Sequence, residues 1–320
     1  MNDDSPSVVF AYSEVGARCL GALFEAGVGV RLVVTHEDDP NETRWFASVA
    51  EVARGAGCTA ITPADPTDPA LFARIQAIQP DFIFSFYYRR LLPAAILGLA
   101  HRGALNMHGS LLPKYRGRAP VNWAVLSGER ETGASLHYMV ERPDAGALVD
   151  QQAVPIGPDD TAFEVADRVA DAAVTVLRRS LPRLLAGTAA ATPLDLARGS
   201  YFGGRKPADG EFSWQWPAQR IHDLVRAVAP PFPGAYVRLG DAILRVNRTR
   251  RRQQPLATAI AGPSLGVEDG TIVAICGDGA ALELAEVYLE DGRLDAAGFV
   301  ATFGHARVPA RPPTRAQTEA

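Results

Sequence analysis

The sequence predicts an α/β protein that begins with a doubly wound, mostly parallel sheet and ends with a smaller β domain. Short β-branched or aromatic segments alternate with longer helical segments up to about residue 108, which is the rhythm of β–α–β units. One strand segment, DFIFSF at 81–86, is apolar almost without interruption, as expected for a sheet covered on both faces. Beyond residue 230, short alternating segments are separated by GD and DG turn signals, which favours antiparallel strands.

The predicted elements follow in order along the first 200 residues. Strands are expected at 7–13, 29–38, 80–88, 103–108, 133–140 and 147–156, and helices at 14–28, 42–57, 65–79, 121–128 and 160–187. The longest helix follows an Asp-Thr capping signal at 160–161. A connection rich in Gly, Ala and Thr from about 187 to 200 marks a domain boundary. We therefore predict a first domain at 1–200, a second at 201–305 and a disordered tail at 306–320, where Pro and charge dominate.

The overall charge and hydropathy exclude several classes of protein. The formal net charge is −4, so a whole-surface electrostatic attachment to nucleic acid is not expected. The apolar runs are strand-sized and far shorter than the roughly 20 residues that cross a bilayer. An acidic N-terminus that continues directly into a strand does not resemble a signal peptide. We expect a cytoplasmic protein with no membrane insertion and no nucleic-acid partner.

Neither the cysteines nor the histidines show the spacing of a metal site. Cys19, Cys58 and Cys276 are far apart, with no CxxC motif, and the six histidines do not cluster. The glycines near the first strand do not form GxGxxG, and there is no P-loop, so a nicotinamide dinucleotide is not indicated. No metal is predicted.

An amide and an imidazole stand two residues apart at the end of the predicted strand 103–108. In a strand, residues i and i+2 face the same side, so Asn106 and His108 should project together. In doubly wound sheets, ligands bind beyond the carboxyl ends of the strands. An imidazole can accept and return a proton near neutral pH, and a carboxamide can donate to an oxyanion. This pair suits acyl transfer to an amine, although a strand-end His and Asn can also simply satisfy turn backbone.

No candidate nucleophile accompanies the pair. The chain has no GxSxG motif, and Ser110 is not in a triad-like setting. Direct transfer from an activated acyl donor is therefore favoured over a covalent intermediate. Asp144, in an Asp-Ala-Gly turn between two predicted strands, can hold the imidazole tautomer and raise the pKa of His108, or it can only bond its own turn.

Two groups of cations follow the strand. Lys114, Arg116 and Arg118 surround a Pro and a Gly, and such clustering can hold phosphate or carboxylate. Arg205 and Lys206 fall near the predicted domain boundary, a common position for ligand clefts. Solvated surface charge is the alternative for both groups.

The segment NMHGSLLPKYRGRAPVNW from Asn106, with RPDAG at 142–146, resembles the signature of the formyltransferases that use 10-formyltetrahydrofolate. The pattern spans some forty positions, and the resemblance covers about residues 7 to 305. It implies a Rossmann-like catalytic domain, a small OB-like β-barrel and 10-formyltetrahydrofolate as formyl donor. His108 would act as base and then acid, Asn106 would stabilise the oxyanion and Asp144 would raise the pKa of His108.

The resemblance also implies binding residues. The folate is expected at Arg90, Leu91, Leu92, Arg118, Val140, Glu141, Arg142, Pro143 and Asp144. The nucleotide part of a second substrate is expected at Lys114, Tyr115, Arg116, Arg205 and Lys206.

Within this family, the nearest resemblance is to enzymes that formylate UDP-4-amino-4-deoxy-L-arabinose in lipid A modification and polymyxin resistance. It is carried by the segments VVFAYSEVG, PDFIFSFYYRRLL, HGSLLPKYRGRAPVNW, RPDAGALV, FGGRKPADGEFSW and LVRAVAPPFPGAY. We expect a stand-alone formyltransferase, with a separate decarboxylating dehydrogenase acting in the same pathway. The sequence leaves the oligomeric state open, because none of its features fixes a subunit interface.

Several alternatives stay open. A methionyl-tRNA formyltransferase shares the same catalytic residues, and the basic run RVNRTRRR at 245–252 suits it, whereas the acidic loop THEDDPNETRW at 35–45 does not. Formylation of another nucleotide-linked amino sugar is a second alternative. A formate-releasing hydrolase and a binding module that retains the fold without the chemistry are the others.

Overall fold

The computed structural model describes residues 3–37, 45–239, 242–252, 262–290, 292–304 and 308–309. Its helices are α1 Ser13–Glu25, α2 Val49–Gly55, α3 Pro69–Ile78, α4 Ala94–Leu97, α5 Pro120–Leu126, α6 Ala162–Leu185, α7 Ala218–Val228 and α8 Ala296–Phe303. The chain divides into two compact units. The first contains residues 1–124, 130–156 and 165–204, and the second contains residues 125–129, 157–164 and 205–320.

The first unit is built on a seven-stranded sheet. Its strands are β1 Asp3–Ala11, β2 Val28–Val34, β3 Ala60–Ile61, β4 Phe82–Phe86, β5 Gly103–His108, β7 Glu131–Tyr138 and β8 Leu148–Pro155. They lie in the order β3-β2-β1-β4-β5-β7-β8, and the first five are parallel. β7 runs antiparallel to both β5 and β8. The prediction of a doubly wound, mostly parallel sheet is confirmed.

The strand order reverses beside β1. The chain runs outward from β1 through β2 to β3, and then crosses to β4 on the other side of β1 and continues to β5. Such a reversal leaves a crevice outside the carboxyl ends of the strands, where ligands bind in this type of sheet. The residues that follow β4 and β5 therefore become the candidates for a site.

Aromatic and branched side chains of the central strands form the core of this unit. Phe82, Phe84 and Phe86 are fully buried and stack in sequence, with ring centroids 5.7 and 5.8 Å apart. Ile83, on the other side of the same strand, packs into a second buried cluster with Val8 of β1. Burial of both faces explains why this segment is apolar at all positions but Ser85, rather than at every second one.

Local predictions differ from the structure at several places, and the short elements α4, β6 Arg116–Gly117 and β9 Tyr201–Phe202 were not predicted. The helix predicted at 42–57 begins only at Val49, and residues 42–44 lie outside the described residues. β3 was not predicted, because two residues are too short for a periodic pattern, and pairing with β2 defines it.

The second unit contains an antiparallel sheet, as predicted. Its strands are β10 Ala235–Leu239, β11 Ala242–Arg251, β12 Ser264–Glu268, β13 Thr271–Ile275, β14 Ala281–Leu289, β15 Gly292–Arg293 and β16 Val308–Pro309. They pair in the order β10-β11-β14-β13-β12-β16, with β15 on β14. β16 lies within the tail predicted at 306–320 and pairs with β12; the other residues of that tail lie outside the described residues. In the described part of the chain, no helix is long and apolar enough to cross a membrane.

Candidate active site

A cavity of about 530 Å³ lies in the first unit at the carboxyl ends of β4 and β5. Its walls come from five segments: the end of β4 with the chain after it, the end of β5, Gly117 of the short strand β6 Arg116–Gly117 with the chain after it, the chain from the end of β7 onward, and Tyr201 of the short strand β9 Tyr201–Phe202. The lining residues are 85, 87–92, 97, 106–109, 117–120, 137, 139–141, 143, 144 and 201. This is the position at which a doubly wound sheet binds ligands.

The structure brings Asn106, His108 and Asp144 together in this cavity. Asp144 Oδ1 lies 3.5 Å from Asn106 Nδ2 and 3.6 Å from His108 Nδ1. Asn106 and His108 reach the same oxygen because they are two residues apart on one strand. Asp144 arrives from the segment that follows β7, 36 residues after His108 in sequence but adjacent to it in space.

A backbone carbonyl fixes the tautomer of His108. His108 Nε2 lies 2.8 Å from the carbonyl oxygen of Tyr115, which can only accept, so Nε2 carries the hydrogen. Nδ1 is therefore the nitrogen with the lone pair in the neutral ring, and it faces Asp144. The backbone of Tyr115 adopts a left-handed conformation, with φ of +56°.

Burial and charge act in opposite directions on His108. Burial lowers the pKa of His108 below its ordinary value, and the carboxylate of Asp144 and the bond to Tyr115 oppose this only in part. The sequence-based expectation that Asp144 raises the pKa of His108 therefore describes one contribution and not the net direction. The imidazole is held neutral near pH 7, the state in which it can act as a base.

Asp144 is held as an anion. Although burial opposes ionisation, the nearby imidazoles of His108 and His137 and the N–H of Gly117 lower the pKa of Asp144 well below its usual range. The Gly117 N–H donates to Asp144 Oδ2 at 2.8 Å. The carboxylate is thus a fixed negative charge beside His108.

A second imidazole completes the cluster. His137 of β7 is directly opposite Asn106 of β5 in the antiparallel pairing, and its Nε2 lies 3.1 Å from Asn106 Nδ2 and 3.6 Å from Asp144 Oδ1. The ring is 1% exposed, and its Nδ1 lies 2.8 Å from the carbonyl oxygen of Tyr138. The sequence interpretation overlooked His137, because a cross-strand register is not visible in a local pattern.

Comparison with known families decides the classification. The family described as Formyl transferase matches residues 8–181, and its C-terminal domain matches residues 205–303. The chain belongs to the formyl transferase family. The sequence-based family assignment is confirmed.

Solved structures of similar fold include the sugar 3N-formyl transferase WlaRD, crystallised with dTDP and 5-N-formyl-THF. It superimposes with a TM-score of 0.69 at 15% identity, covering 90% of this chain and 97% of WlaRD. The N-formyltransferase from Helicobacter canadensis, in complex with folinic acid and dTDP-3-aminofucose, superimposes with a TM-score of 0.65 at 17% identity. This match covers 88% of this chain and 98% of the Helicobacter canadensis chain. HypX from Aquifex aeolicus, in complex with tetrahydrofolic acid, superimposes with a TM-score of 0.62 at 16% identity. This match covers 98% of this chain and 50% of the HypX chain.

Most residues predicted to bind the folate line the cavity of this family member. Arg90, Leu91, Leu92, Arg118, Val140, Glu141, Pro143 and Asp144 are all among the lining residues, whereas Arg142 is not. Leu91 is 72% exposed and Val140 is 47% exposed, which is unusual for large apolar side chains. The cavity thus presents apolar surface as well as three cations, Arg89, Arg90 and Arg118.

The residues predicted to bind a nucleotide are divided among different places. Lys114 and Tyr115 line a separate cavity of about 390 Å³ in the first unit. Arg116 is only 5% exposed, and its Nε and Nη1 atoms make no hydrogen bond with the described residues. Arg205 and Lys206 belong to the second unit, and both bind Asp209. The Arg205 guanidinium donates to the backbone carbonyl of Asp209, and the backbone N–H of Lys206 donates to the Asp209 carboxylate.

The surroundings of the Ser110 hydroxyl and of the three cysteine thiols do not favour nucleophilic chemistry. Ser110 is fully buried, and its hydroxyl donates to the carbonyl of Lys114 at 2.6 Å. Burial raises the pKa of all three cysteine thiols, Cys19, Cys58 and Cys276, which opposes formation of a nucleophilic thiolate. Among the described residues, no group of three or more His, Cys, Asp or Glu side chains is arranged to hold a metal.

Proposed function

We propose that the protein transfers a formyl group from 10-formyltetrahydrofolate to the amino group of a nucleotide-linked amino sugar. The observation that carries this proposal is the convergence of Asn106, His108 and Asp144 on one point of an open cavity in a member of the formyl transferase family. Within that class, UDP-4-amino-4-deoxy-L-arabinose is the acceptor we favour, which would place the enzyme in lipid A modification and polymyxin resistance.

The arrangement supports direct transfer with balanced proton movements. The acceptor amine attacks the formyl carbon and forms the new C–N bond, which gives a tetrahedral intermediate with an oxyanion; the bond from that carbon to the folate nitrogen then breaks. His108 Nδ1 takes the proton that the amine loses and returns it to the departing folate nitrogen. Asp144 stabilises the imidazolium between these two transfers, and the amide N–H of Asn106 stabilises the oxyanion.

The mouth of the cavity supports folate as the donor. Leu91, Val140 and Met139 present apolar surface on which a flat ring system can pack. Arg90 and Arg118 add positive charge that suits the carboxylates of a folate. The folate complexes of the WlaRD and Helicobacter canadensis structures, which share this fold, support the same interpretation.

An amino sugar is favoured as acceptor because one similar structure carries a nucleotide-linked amino sugar and another carries a nucleotide. The Helicobacter canadensis protein was crystallised with dTDP-3-aminofucose, and WlaRD with dTDP. In this chain, the buried guanidinium of Arg116 retains hydrogen-bond donors that the described protein atoms do not use. Those donors are buried and Arg116 lines neither cavity, so Arg116 does not by itself support a phosphate site.

The tRNA alternative is weakened by the surroundings of the basic run 245–252. Arg248 pairs with Glu164 at 3.2 Å, and Arg252 pairs with both Glu268 and Asp269 at 3.4 and 3.1 Å. Cations that are paired internally contribute less to phosphate binding. Of the acidic loop predicted to disfavour tRNA, residues 38–44 lie outside the described residues.

The proposed activity can be tested with a panel of acceptors. Purified protein would be incubated with 10-formyltetrahydrofolate and UDP-4-amino-4-deoxy-L-arabinose, dTDP- and GDP-linked amino sugars, Met-tRNA or no acceptor, and products identified by mass spectrometry. We expect formylation of a nucleotide-linked amino sugar. Formylation of Met-tRNA at a rival rate, or formate release without an amine, would contradict the proposal.

Substitution of His108 tests whether the same site carries the activity. We expect H108A to lower kcat by about 10²- to 10⁴-fold, because it removes the acid and base. H101A is the matched control, since His101 is an exposed histidine of the same unit that does not line the cavity. Equal activity of H108A and H101A would show that the catalytic assignment is wrong.

A further inference from the structure

The two imidazoles of the site are bonded in different ways. His108 directs its N–H to a backbone carbonyl and its lone pair toward Asp144, which suits proton transfer. His137 is almost fully buried, and its accessible polar atom is already engaged by Asn106. A role in proton transfer to a substrate is therefore not indicated for His137, and its effect must pass through its neighbours.

The tautomer of His137 follows from its partners. Nδ1 lies 2.8 Å from the carbonyl oxygen of Tyr138, and a carbonyl only accepts, so Nδ1 carries the hydrogen. In the neutral ring, Nε2 is then a pure acceptor, and it lies 3.1 Å from Asn106 Nδ2. An amide nitrogen only donates, so the two atoms form a matched pair.

This pairing also determines which way the Asn106 amide faces. If the amide were rotated by 180°, Asn106 Oδ1 would take the place of Nδ2, opposite the lone pair of His137 Nε2 and near Asp144 Oδ1. Three acceptors would then face one another in a buried place, which is strongly unfavourable. His137 and Asp144 thus enforce the same amide orientation from two directions.

We propose that His137 is a positioning residue that fixes the Asn106 amide for catalysis. Asn106 Nδ2 lies 3.1 Å from His137 Nε2 but 3.5 Å from Asp144 Oδ1, so His137 holds the amide more firmly than Asp144 does. A donor that Asp144 holds this loosely can be recruited by a stronger acceptor, such as the oxyanion formed from the formyl group. His137 thereby keeps a donor oriented before the reaction begins.

The inference rests on the proposed function, because kcat for formyl transfer is one of its readouts. We expect H137L to lower kcat by about 10- to 100-fold with little change in the KM of either substrate, since a misplaced donor acts on the transition state. H137Q should recover most of this loss, because the glutamine side chain offers an acceptor oxygen. In an N106A background, H137L should have no additional effect on kcat, because no amide is left to orient.

An independent measurement does not require activity. Histidine labelled with ¹⁵N in the intact protein should show the neutral ring of His137 with its proton on Nδ1 and none on Nε2, and the N106A substitution should shift the Nε2 resonance. Thermal unfolding of each variant would show whether it is folded, and if H137L does not fold, the ¹⁵N measurement decides.

Three outcomes would overturn the proposal: an unchanged kcat in folded H137L, equal losses in H137L and H137Q, or a proton on His137 Nε2. Failure of the wild-type protein to formylate any acceptor would instead count against the proposed function, and the ¹⁵N measurement would still test the orientation of Asn106.

Discussion

At the scale of single residues, one carboxylate contacts every other member of the candidate catalytic cluster. Asp144 Oδ1 lies within 3.6 Å of polar atoms of Asn106, His108 and His137, and its Oδ2 accepts the Gly117 N–H. Its backbone has a φ of +52°, a left-handed conformation that Asp tolerates better than most residues. A single side chain therefore links segments from four separate places in the sequence.

The first prediction concerns the charge of Asp144. The carboxylate raises the pKa of His108 against the larger, opposite effect of burial, so D144N should lower that pKa further. The acidic limb of the kcat/KM profile should move to lower pH, and the maximal rate should fall about 10²-fold or more, because the imidazolium loses its counter-charge. The pH dependence of kcat/KM for wild type and D144N would check this.

D150N is a useful control for that measurement. Asp150 is a carboxylate of the same unit that pairs with Arg179 and does not line the cavity. The pH profile of kcat/KM for D150N should match that of the wild type. An acidic limb in D144N that stays in place or moves upward would contradict the electrostatic role of Asp144.

The sequence anticipated part of this cluster. The period of a strand is two residues, which placed Asn106 and His108 on one side before any contact was known. The residues alone left two interpretations of Asp144, and only the resemblance to a family selected its link to His108, because nothing local connects residues 36 positions apart. His137 was missed, since its position opposite Asn106 depends on the antiparallel pairing of β5 with β7.

At the scale of elements, a small two-stranded sheet shapes one wall of the site. β6 Arg116–Gly117 runs parallel to β9 Tyr201–Phe202. Tyr115 and Trp123 both stack on the Phe202 ring, with centroids 5.4 and 4.7 Å apart. Gly117 has a φ of +99°, and a Cβ added there would collide with the Phe202 carbonyl. This close approach lets the Gly117 N–H reach Asp144.

The second prediction concerns that glycine. G117A should reduce the free energy of unfolding by about 1–3 kcal/mol, because it combines a left-handed backbone with a steric clash. Activity should fall as well, since displaced β6 no longer donates to Asp144. G203A is the control, because an added Cβ meets nothing within 4 Å and the backbone is not left-handed. Urea unfolding and kcat would be measured for both; equal stability of the two variants would refute this reasoning.

At the scale of the whole molecule, the second unit includes two segments from earlier in the chain. Arg226 of α7 pairs with Asp223 at 2.7 Å, and both side chains are buried. The Arg226 guanidinium also donates to the backbone carbonyls of Val125, Gly157 and Asp160. One buried cation therefore connects the segments 125–129 and 157–164 to the helix that opens the C-terminal region.

The third prediction concerns this buried pair. R226M should reduce the free energy of unfolding by about 3–5 kcal/mol, because Asp223 would remain buried without its cation and three carbonyls would lose their donor. R251M, at an exposed arginine of β11, should change it by less than about 1 kcal/mol. Denaturant unfolding followed by fluorescence would check this, and similar losses in both variants would show that the buried network is not decisive.

The sequence by itself determined the elements and the order in which they occur. The alternation of apolar segments predicted the doubly wound sheet, and the turn signals predicted the antiparallel strands, because both patterns are local consequences of side-chain periodicity. Only the tertiary structure decided which of these elements meet. It set β7 against β5, which brings His137 to Asn106, and it enclosed His108 so that burial outweighs Asp144 in setting its pKa. Both outcomes depend on contacts between distant parts of the chain, which no local pattern encodes.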